Sequence, residues 1–334
     1  MYIMEKIILK IVLIGMLVIP TAAVAVDDNT VEIVYNGTTA TVNIASNISS
    51  YVTLNSGTSS HVKIVQSASF SGINANADNE DGEIIYSLSG TSADGEFYME
   101  GSYKCIVELN GLTLTNPSGP AINIQNGKRI EVSAKKNTTN TIADGANDTY
   151  NGCFHCKGHT KLKGKGTLNV VGNSKHAVYS KEYIEVKNLT LNITGAAKDA
   201  IHCKEYFLME SGTINITGAS DDGIQVELDG SKSTGKTAGH EDEDSGNFYM
   251  QDGTLSISGY GGKAIKADGY ITFSGGKQNF DTSDVSDAMG ISHIVNDALS
   301  GGQWFDLQGR HTDAPKSGIY ILKNGTSARK IIVR

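Results

Sequence analysis

Residues 158–226 read GHTKLKGKGTLNVVGNSKHAVYS, KEYIEVKNLTLNITGAAKDAIHC and KEYFLMESGTINITGASDDGIQV when the chain is broken at Lys181 and Lys204. The pieces are about 23 residues each and align without a gap, and a fourth, SGNFYMQDGTLSISGYGGKAIKA from Ser245 to Ala267, follows an acidic insertion. Self-similarity at a fixed period of this size is the signature of a solenoid. Each unit holds three short runs in which apolar residues alternate with polar ones. In the second unit they are Ile184-Glu185-Val186, Leu189 to Ile193, and Ala200-Ile201-His202-Cys203. Alternation with period two, β-branched residues and breaks at Gly, Asn and Ser are strand signals, and no unit carries a helical period. The LxxLxLxxN pattern of a leucine-rich repeat is missing. The expected fold is all-β: a right-handed parallel β-helix with rungs of about 23 residues and three strands per rung.

The totals agree. The 334-residue chain has 38 Gly against 4 Pro, which suits many tight corners between strands. A net charge of −8 argues against a nucleic-acid partner, because phosphate binding needs a basic face. It suits cations or neutral ligands. No internal run is long and apolar enough to span a membrane, and a monomer is expected.

Working outward, Met1 to Ala25 has Lys6 and Lys10, an apolar run from Ile11 to Ile19, Pro20, and Ala23-Val24-Ala25. A basic start, a short apolar stretch and an A-x-A site read as a secretory signal peptide, so an exported protein is expected, secreted or on the cell surface. Residues 26–82 read as an atypical β cap, as terminal units of a repeat array are. Residues 83–276 form the β-helix proper, interrupted by the insertion ELDGSKSTGKTAGHEDED at 227–244. From 277 to 302 the repeat is lost, which reads as a linker. Residues 303–334 carry three short strands, beginning at Trp304, Gly318 and Arg329.

Several spaced motifs carry a resemblance. They are Glu-Ile-x-Tyr-x-Leu-Ser-Gly from Glu83 to Gly90, Leu-Asn-Gly-Leu-Thr-Leu-Thr-Asn from Leu109 to Asn116, Asn-Gly-Lys-Arg-Ile-Glu-Val from Asn126 to Val132, and Gly-Asn-Ser-Lys-His-Ala from Gly172 to Ala177. Over residues 30–276 the chain resembles a family of exported bacterial carbohydrate-binding β-helix proteins. The resemblance implies a pectate-lyase-like fold that binds calcium, cellulose-type glucans and acidic polysaccharide. The C-terminal strands, with Asp-Leu-Gln-Gly-Arg, Gly-Ile-Tyr-Ile-Leu and Lys-Ile-Ile-Val, resemble the sorting module of Bacteroidetes-type secreted proteins. That likeness implies delivery to the cell surface or beyond; the alternative is a small structural cap.

Rungs of a β-helix stack about 4.8 Å apart, so residues at one repeat position form a column along the axis. Ile184, Phe207, Phe248 and Ile271 make one apolar column, and Val186, Met209, Met250 and Phe273 another. Asn169, Asn192, Asn215 and Ser256 make a polar column of the kind that hydrogen-bonds along its own stack. Two further columns are candidates for ligand binding. One is His176, Asp199, Asp222 and Lys263, just before the third strand. The other is Tyr179, His202, Gln225 and Lys266, pointing outward inside that strand, with His155 joining once a one-residue gap is allowed.

Asp199, Asp221 and Asp222 are the candidate metal ligands. Carboxylates one rung apart repel, and a hard cation between them resolves the repulsion. Calcium takes roughly six to eight oxygens, which nearby carbonyls could complete. The resembled family carries Asp at the same corners. Glu241 to Asp244 lie in the insertion above this corner and are further candidates. Cys105, Cys153, Cys156 and Cys203 are expected to be buried free thiols. Cys153 and Cys156 are three apart in a strand, and Cys156 and Cys203 two rungs apart, each roughly 10 Å, too far for a disulfide.

Three functions stay open: a non-catalytic polysaccharide-binding β-helix, a calcium-dependent pectate-type lyase, and a structural spacer. A lyase needs a cation on the uronate and a Lys or Arg base. Lys198, Lys263 or Lys266 could serve as base, whereas no arginine occurs between Arg129 and Arg310.

Overall fold

The protein's structure, a computed structural model, describes residues 26–67, 83–228, 245–287 and 303–313, with further strands at 292–294, 318–324 and 327–333. The signal-peptide segment and residues 241–244 lie outside the described residues. Among the described residues there is no α-helix, and no helix long and apolar enough to cross a membrane.

The strands stack in parallel into three faces. Two of them, joined where Ile84–Ser92 and Cys105–Asn116 bend around a corner, make one continuous 17-stranded sheet; the third is a 10-stranded sheet running from Val52–Leu54 to Val285–Asp287. This is a parallel β-helix. Every rung repeats one physical pattern. In Ile184–Lys187 the alternate residues Ile184 and Val186 are fully buried and Glu185 between them is not, so the apolar half of each strand faces the axis.

Both apolar columns form in register. Ile184 lies beside Phe207, Phe248 and Ile271, and Val186 beside Met209, Met250 and Phe273. The Phe207 and Phe248 rings stack with centroids 5.2 Å apart and planes 4° from parallel, because one repeat position places them directly above one another. Burying each such side chain is worth about 1.5–3 kcal/mol. The asparagine column also forms. Asn192 donates to Asn169 Oδ1 at 2.9 Å and Asn215 donates to Asn192 Oδ1 at 2.9 Å, and the column extends to Thr141 below Asn169 and Asn279 above Ser256.

The gap-free alignment of the first unit needs a correction. Thr160 lies beside Ile184 and Leu162 beside Val186, whereas Thr167 lies beside Thr190. The lower rung therefore has one extra corner residue, Gly164-Lys165-Gly166 standing over Asn188-Leu189. Without it Lys161 would face Ile184, and a one-residue slip turns a strand's apolar set outward. Higher corners are tight. Gly212 (φ +103°) and Gly253 (φ +94°) would each bring an added Cβ within 2.5 Å of a carbonyl oxygen of the neighbouring rung.

Residues read as linker instead continue the solenoid. Lys277–Asn279, Val285–Asp287 and Ser292–Ile294 pair in parallel with the strands one rung earlier. Their short, polar strands hide the repeat. Glu227, read as the first residue of the insertion, is the last residue of strand Ile224–Glu227 and lies beside Lys204. At the other end, Thr30–Asn36 pairs antiparallel with Thr39–Ile44 and parallel with Ile84–Ser92, closing an edge that would otherwise template aggregation. The C-terminal strands form a separate four-stranded antiparallel sheet. All four cysteines are buried free thiols, and Ser180 stands between Cys156 and Cys203 in one column. Burial pushes the Cys156 thiol up to about 11.

Candidate functional site

The ten-stranded sheet carries the outward column. Lys63, Tyr98, Asn123, His155, Tyr179, His202, Gln225 and Lys266 lie side by side, one per rung. His155 takes the place that the one-residue gap predicts. Lys63, Tyr98 and Asn123 extend the column three rungs further; the alternation in Glu96–Glu100 and in Ile122–Gln125 carried that signal.

The middle of the column is less open than an outward position suggests. His155, Tyr179 and His202 are each 6–7% exposed, and Asn123 is fully buried. Rings one strand spacing apart cover each other's faces: His155 stacks on Tyr179 at 5.2 Å and Tyr179 on His202 at 5.5 Å. Tyr150 adds an edge-on contact to His155 at 5.2 Å, and Asn123 donates to Glu96 Oε1 at 3.0 Å. Solvent meets ring edges here, while Tyr98, Gln225 and Lys266 are half-exposed and Lys63 is exposed over the Tyr98 ring. Buried His155 has a pKa lowered to about 4, first by burial and then by the charges of Lys157 and Lys175.

Beside this column lies the corner before the third strand, where His176, Asp199, Asp222 and Lys263 stack as the alignment expects. Asp199 Oδ1 accepts the backbone N–H of Asp222 at 3.0 Å, and Asp222 Oδ1 accepts that of Lys263 at 2.6 Å. Each carboxylate thus holds the backbone of the next rung. Asp199 Oδ2 faces two imidazoles, His202 Nδ1 at 2.9 Å and His176 Nδ1 at 3.2 Å, with the two rings 4.4 Å apart. Burial alone would raise the Asp199 pKa, but the two histidines and the Asp222 N–H outweigh it and hold the carboxyl well below the usual range. Burial also lowers the His176 pKa, against the pull of Asp199.

Asp221 and Asp222 complete a second group with Asp199, their ligand oxygens all within 4.8 Å of one another. Asp221 is exposed, and Asp222 is 2% exposed. Burial raises the Asp222 pKa, and Asp199 and Asp221 add to the rise against Lys263 N–H and Lys266. Its Oδ2 is buried without a hydrogen-bond donor, and the Lys266 ammonium stands 3.6 Å away. Gly262 closes over the pair, since a Cβ there would lie 2.3 Å from Asp222 Oδ1 and 2.7 Å from Asp221 Oδ1. The oxygens fit a hard cation in part. The orphaned Asp222 oxygen welcomes one, while backbone and histidine contacts already satisfy Asp199.

Three participants escaped the sequence reading. Glu227 Oε2 stands 3.4 Å from His202 Nε2, Tyr150 covers His155, and Gly262 admits the acid corner. Glu227 sits two residues after Gln225, so strand alternation put it on the same face; its acidic neighbours disguised it as insertion. Lys263 Nζ bonds Asp284 Oδ1 at 2.7 Å, a contact that raises the lysine's pKa.

A family model described as carbohydrate-binding domain-containing protein matches residues 78–318. No curated protein matches the chain. Among solved structures, the polysaccharide lyase-like protein from C. thermocellum, determined as a gadolinium derivative, is similar with a TM-score of 0.54 and 18% identity. The likeness covers 77% of this chain and 99% of that one. At that identity it supports the fold alone.

Proposed function

This chain belongs to the family of carbohydrate-binding domain-containing proteins, and from that premise we propose that it binds a polysaccharide, cellulose-type or acidic, along the ten-stranded sheet without cleaving it. The observation that carries this reading is the unbroken outward column from Lys63 to Lys266, one polar or aromatic side chain per rung. A linear glycan laid along the axis meets a donor, an acceptor or a ring edge at each rung of the column except that of the buried Asn123. Ring edges at His155, Tyr179 and His202 and the side chains of Lys63, Gln225 and Lys266 suit sugar hydroxyls or carboxylates.

Calcium is part of the proposal, held by Asp221 and Asp222 with Asp199 beside them. Bound there, it would neutralise the acid corner and offer an open position to the carboxylate of an acidic glycan. The leader-like N-terminus and the C-terminal strands support export, which detection of the protein in culture medium or on cells tests.

The lyase alternative needs a lysine able to give up its proton. Lys263 is driven the other way by Asp284, and Lys266 faces Asp222. The deciding experiment incubates the protein with polygalacturonate and calcium while following absorbance of unsaturated product, with parallel pull-downs on insoluble cellulose and pectin. Retention without product is expected, and Tyr98→Ala or Gln225→Ala should weaken it several-fold. Unsaturated product would establish a lyase. Neither product nor retention on any glycan would leave a spacer.

A further inference from the structure

The histidine side of the corner has chemistry of its own, although His202 also lies in the outward column and Asp199 also borders the acid corner. His176, Asp199 and His202 each offer a ligand atom, all within 4.8 Å of one another, and the Nδ1 atoms of both rings face Asp199 Oδ2. We propose that His176, Asp199 and His202 form a binding site for a transition-metal dication of the zinc class.

Four observations support it. First, the spacing is close to that of a metal site. Tetrahedral zinc with bonds of about 2.0–2.2 Å sets its ligand atoms roughly 3.3–3.6 Å apart, and the two nitrogens lie 3.2 and 2.9 Å from Asp199 Oδ2, so a few tenths of an ångström of opening seats the ion. Second, His176 Nδ1 is buried, its residue 7% exposed, and has no hydrogen-bond partner although it faces the carboxylate. A shared cation gives that buried atom the partner it lacks. Third, an outer carboxylate is in place: Glu227 Oε2 stands 3.4 Å from His202 Nε2, the far nitrogen of the ring. Metal-ligating histidines are held this way, by an acceptor for the other ring N–H. Fourth, the donor set is selective. Two imidazoles and one carboxylate suit zinc, copper or nickel, whereas calcium and magnesium take oxygens.

Binding is balanced in protons: the metal takes the Nδ1 lone pair of each neutral ring, and the proton that His202 Nδ1 shares with Asp199 is carried instead at Nε2, where Glu227 accepts it, with no net release. Three protein ligands leave a fourth position for water or for a hydroxyl of a bound sugar. The carboxylate of Asp199 lies between this site and the acid corner, so the two ions share one residue but differ in every other ligand.

The test uses untagged, chelator-treated full-length protein and calorimetric titration with zinc chloride and, separately, calcium chloride. One zinc per chain is expected. His176→Gln and His202→Gln should each weaken zinc about 100-fold, and Glu227→Gln about 10-fold, the range for lost ligands and outer partners. Asp221→Asn should leave zinc binding unchanged. Should a histidine variant fail to fold, Cu²⁺ bound to the wild type must show imidazole-nitrogen coupling in its paramagnetic resonance spectrum. No zinc binding by the wild type, zinc binding indifferent to both histidine variants, or copper with oxygen ligands only, each overturns the proposal. These outcomes read zinc and copper binding, whereas the pull-downs on cellulose and pectin read glycan retention with calcium and no zinc, so either proposal can fail without the other.

Discussion

Asp199 shows how much one residue holds. It is 1% exposed, accepts the Asp222 N–H, and faces both histidines of the corner. Asp199→Ala removes the acceptor for the Asp222 N–H and for His202, and each orphaned donor costs about 1–3 kcal/mol. The variant should therefore unfold several degrees lower by calorimetry, whether or not a metal is supplied. Asp222→Ala takes away the acceptor of the Lys263 N–H alone and should cost less. If calcium sits at this corner, adding it should raise the melting temperature of the wild type and leave that of Asp222→Ala unmoved. The sequence placed these acids in one column. It could not show that they cap backbone N–H groups, because that depends on the rotamer each takes against the rung above.

At the scale of one element, the asparagine column is a test of stacking. Asn192 both donates to Asn169 and accepts from Asn215, so Asn192→Ala breaks two bonds, while Asn279→Ala at the upper end breaks one exposed bond. At about 0.5–1.5 kcal/mol per net hydrogen bond, the inner variant should cost about 1–3 kcal/mol in urea denaturation and the outer one clearly less. Equal losses would mean the column contributes no bonding along its stack. Gly212→Ala should be worse than its small volume suggests, because φ of +103° and the Leu189 carbonyl at 2.5 Å leave a Cβ nowhere to go. The register of these elements was nearly legible. Period-two alternation gave every strand its inward face, and the departures from the gap-free alignment, at the corner of residues 164–166 and at the bulge after Val170, arose because one extra residue leaves no trace in a short repeat.

For the molecule as a whole, histidines set the response to acid. Burial lowers His155 and His159 to about 4, whereas an unfolded histidine titrates near 6.5. The unfolded chain therefore binds more protons between those values, so their stability is complete above about 6.5 and is lost as pH falls towards about 4. Asp144 works in reverse. Burial raises it to about 6, so the folded chain keeps a proton that the unfolded chain has released, and acidification from about 6 towards 4 stabilises. Three lowered histidines, His155, His159 and His176, oppose three raised carboxylates, Asp144, Asp222 and Glu96, so the clean reading is a difference: His155→Gln should lose less melting temperature than the wild type between pH 7 and 4.5. Parallel curves for the two proteins would contradict the burial argument. Because each rung touches only its neighbours, Phe207→Ala, costing about 3–5 kcal/mol, should uncouple the array at its middle and broaden the unfolding transition.

By itself the sequence determined the solenoid, its rung length, which side chains face the axis, and which residues share a column, since repetition at a fixed period leaves a parallel stack little freedom. It also marked His176, Asp199, His202 and the Asp221-Asp222 pair as departures from that repetition. Tertiary structure decided what those departures amount to. Rings one strand spacing apart bury each other, so an outward column became a half-closed one. Glu227 left the insertion for the sheet, and residues 277–294 joined the solenoid as further strands. Side-chain direction at the corner turned two acids, Asp199 and Asp222, into backbone caps and brought two imidazole nitrogens onto one carboxylate oxygen. Those distances depend on how adjacent rungs settle on one another, which no single repeat encodes.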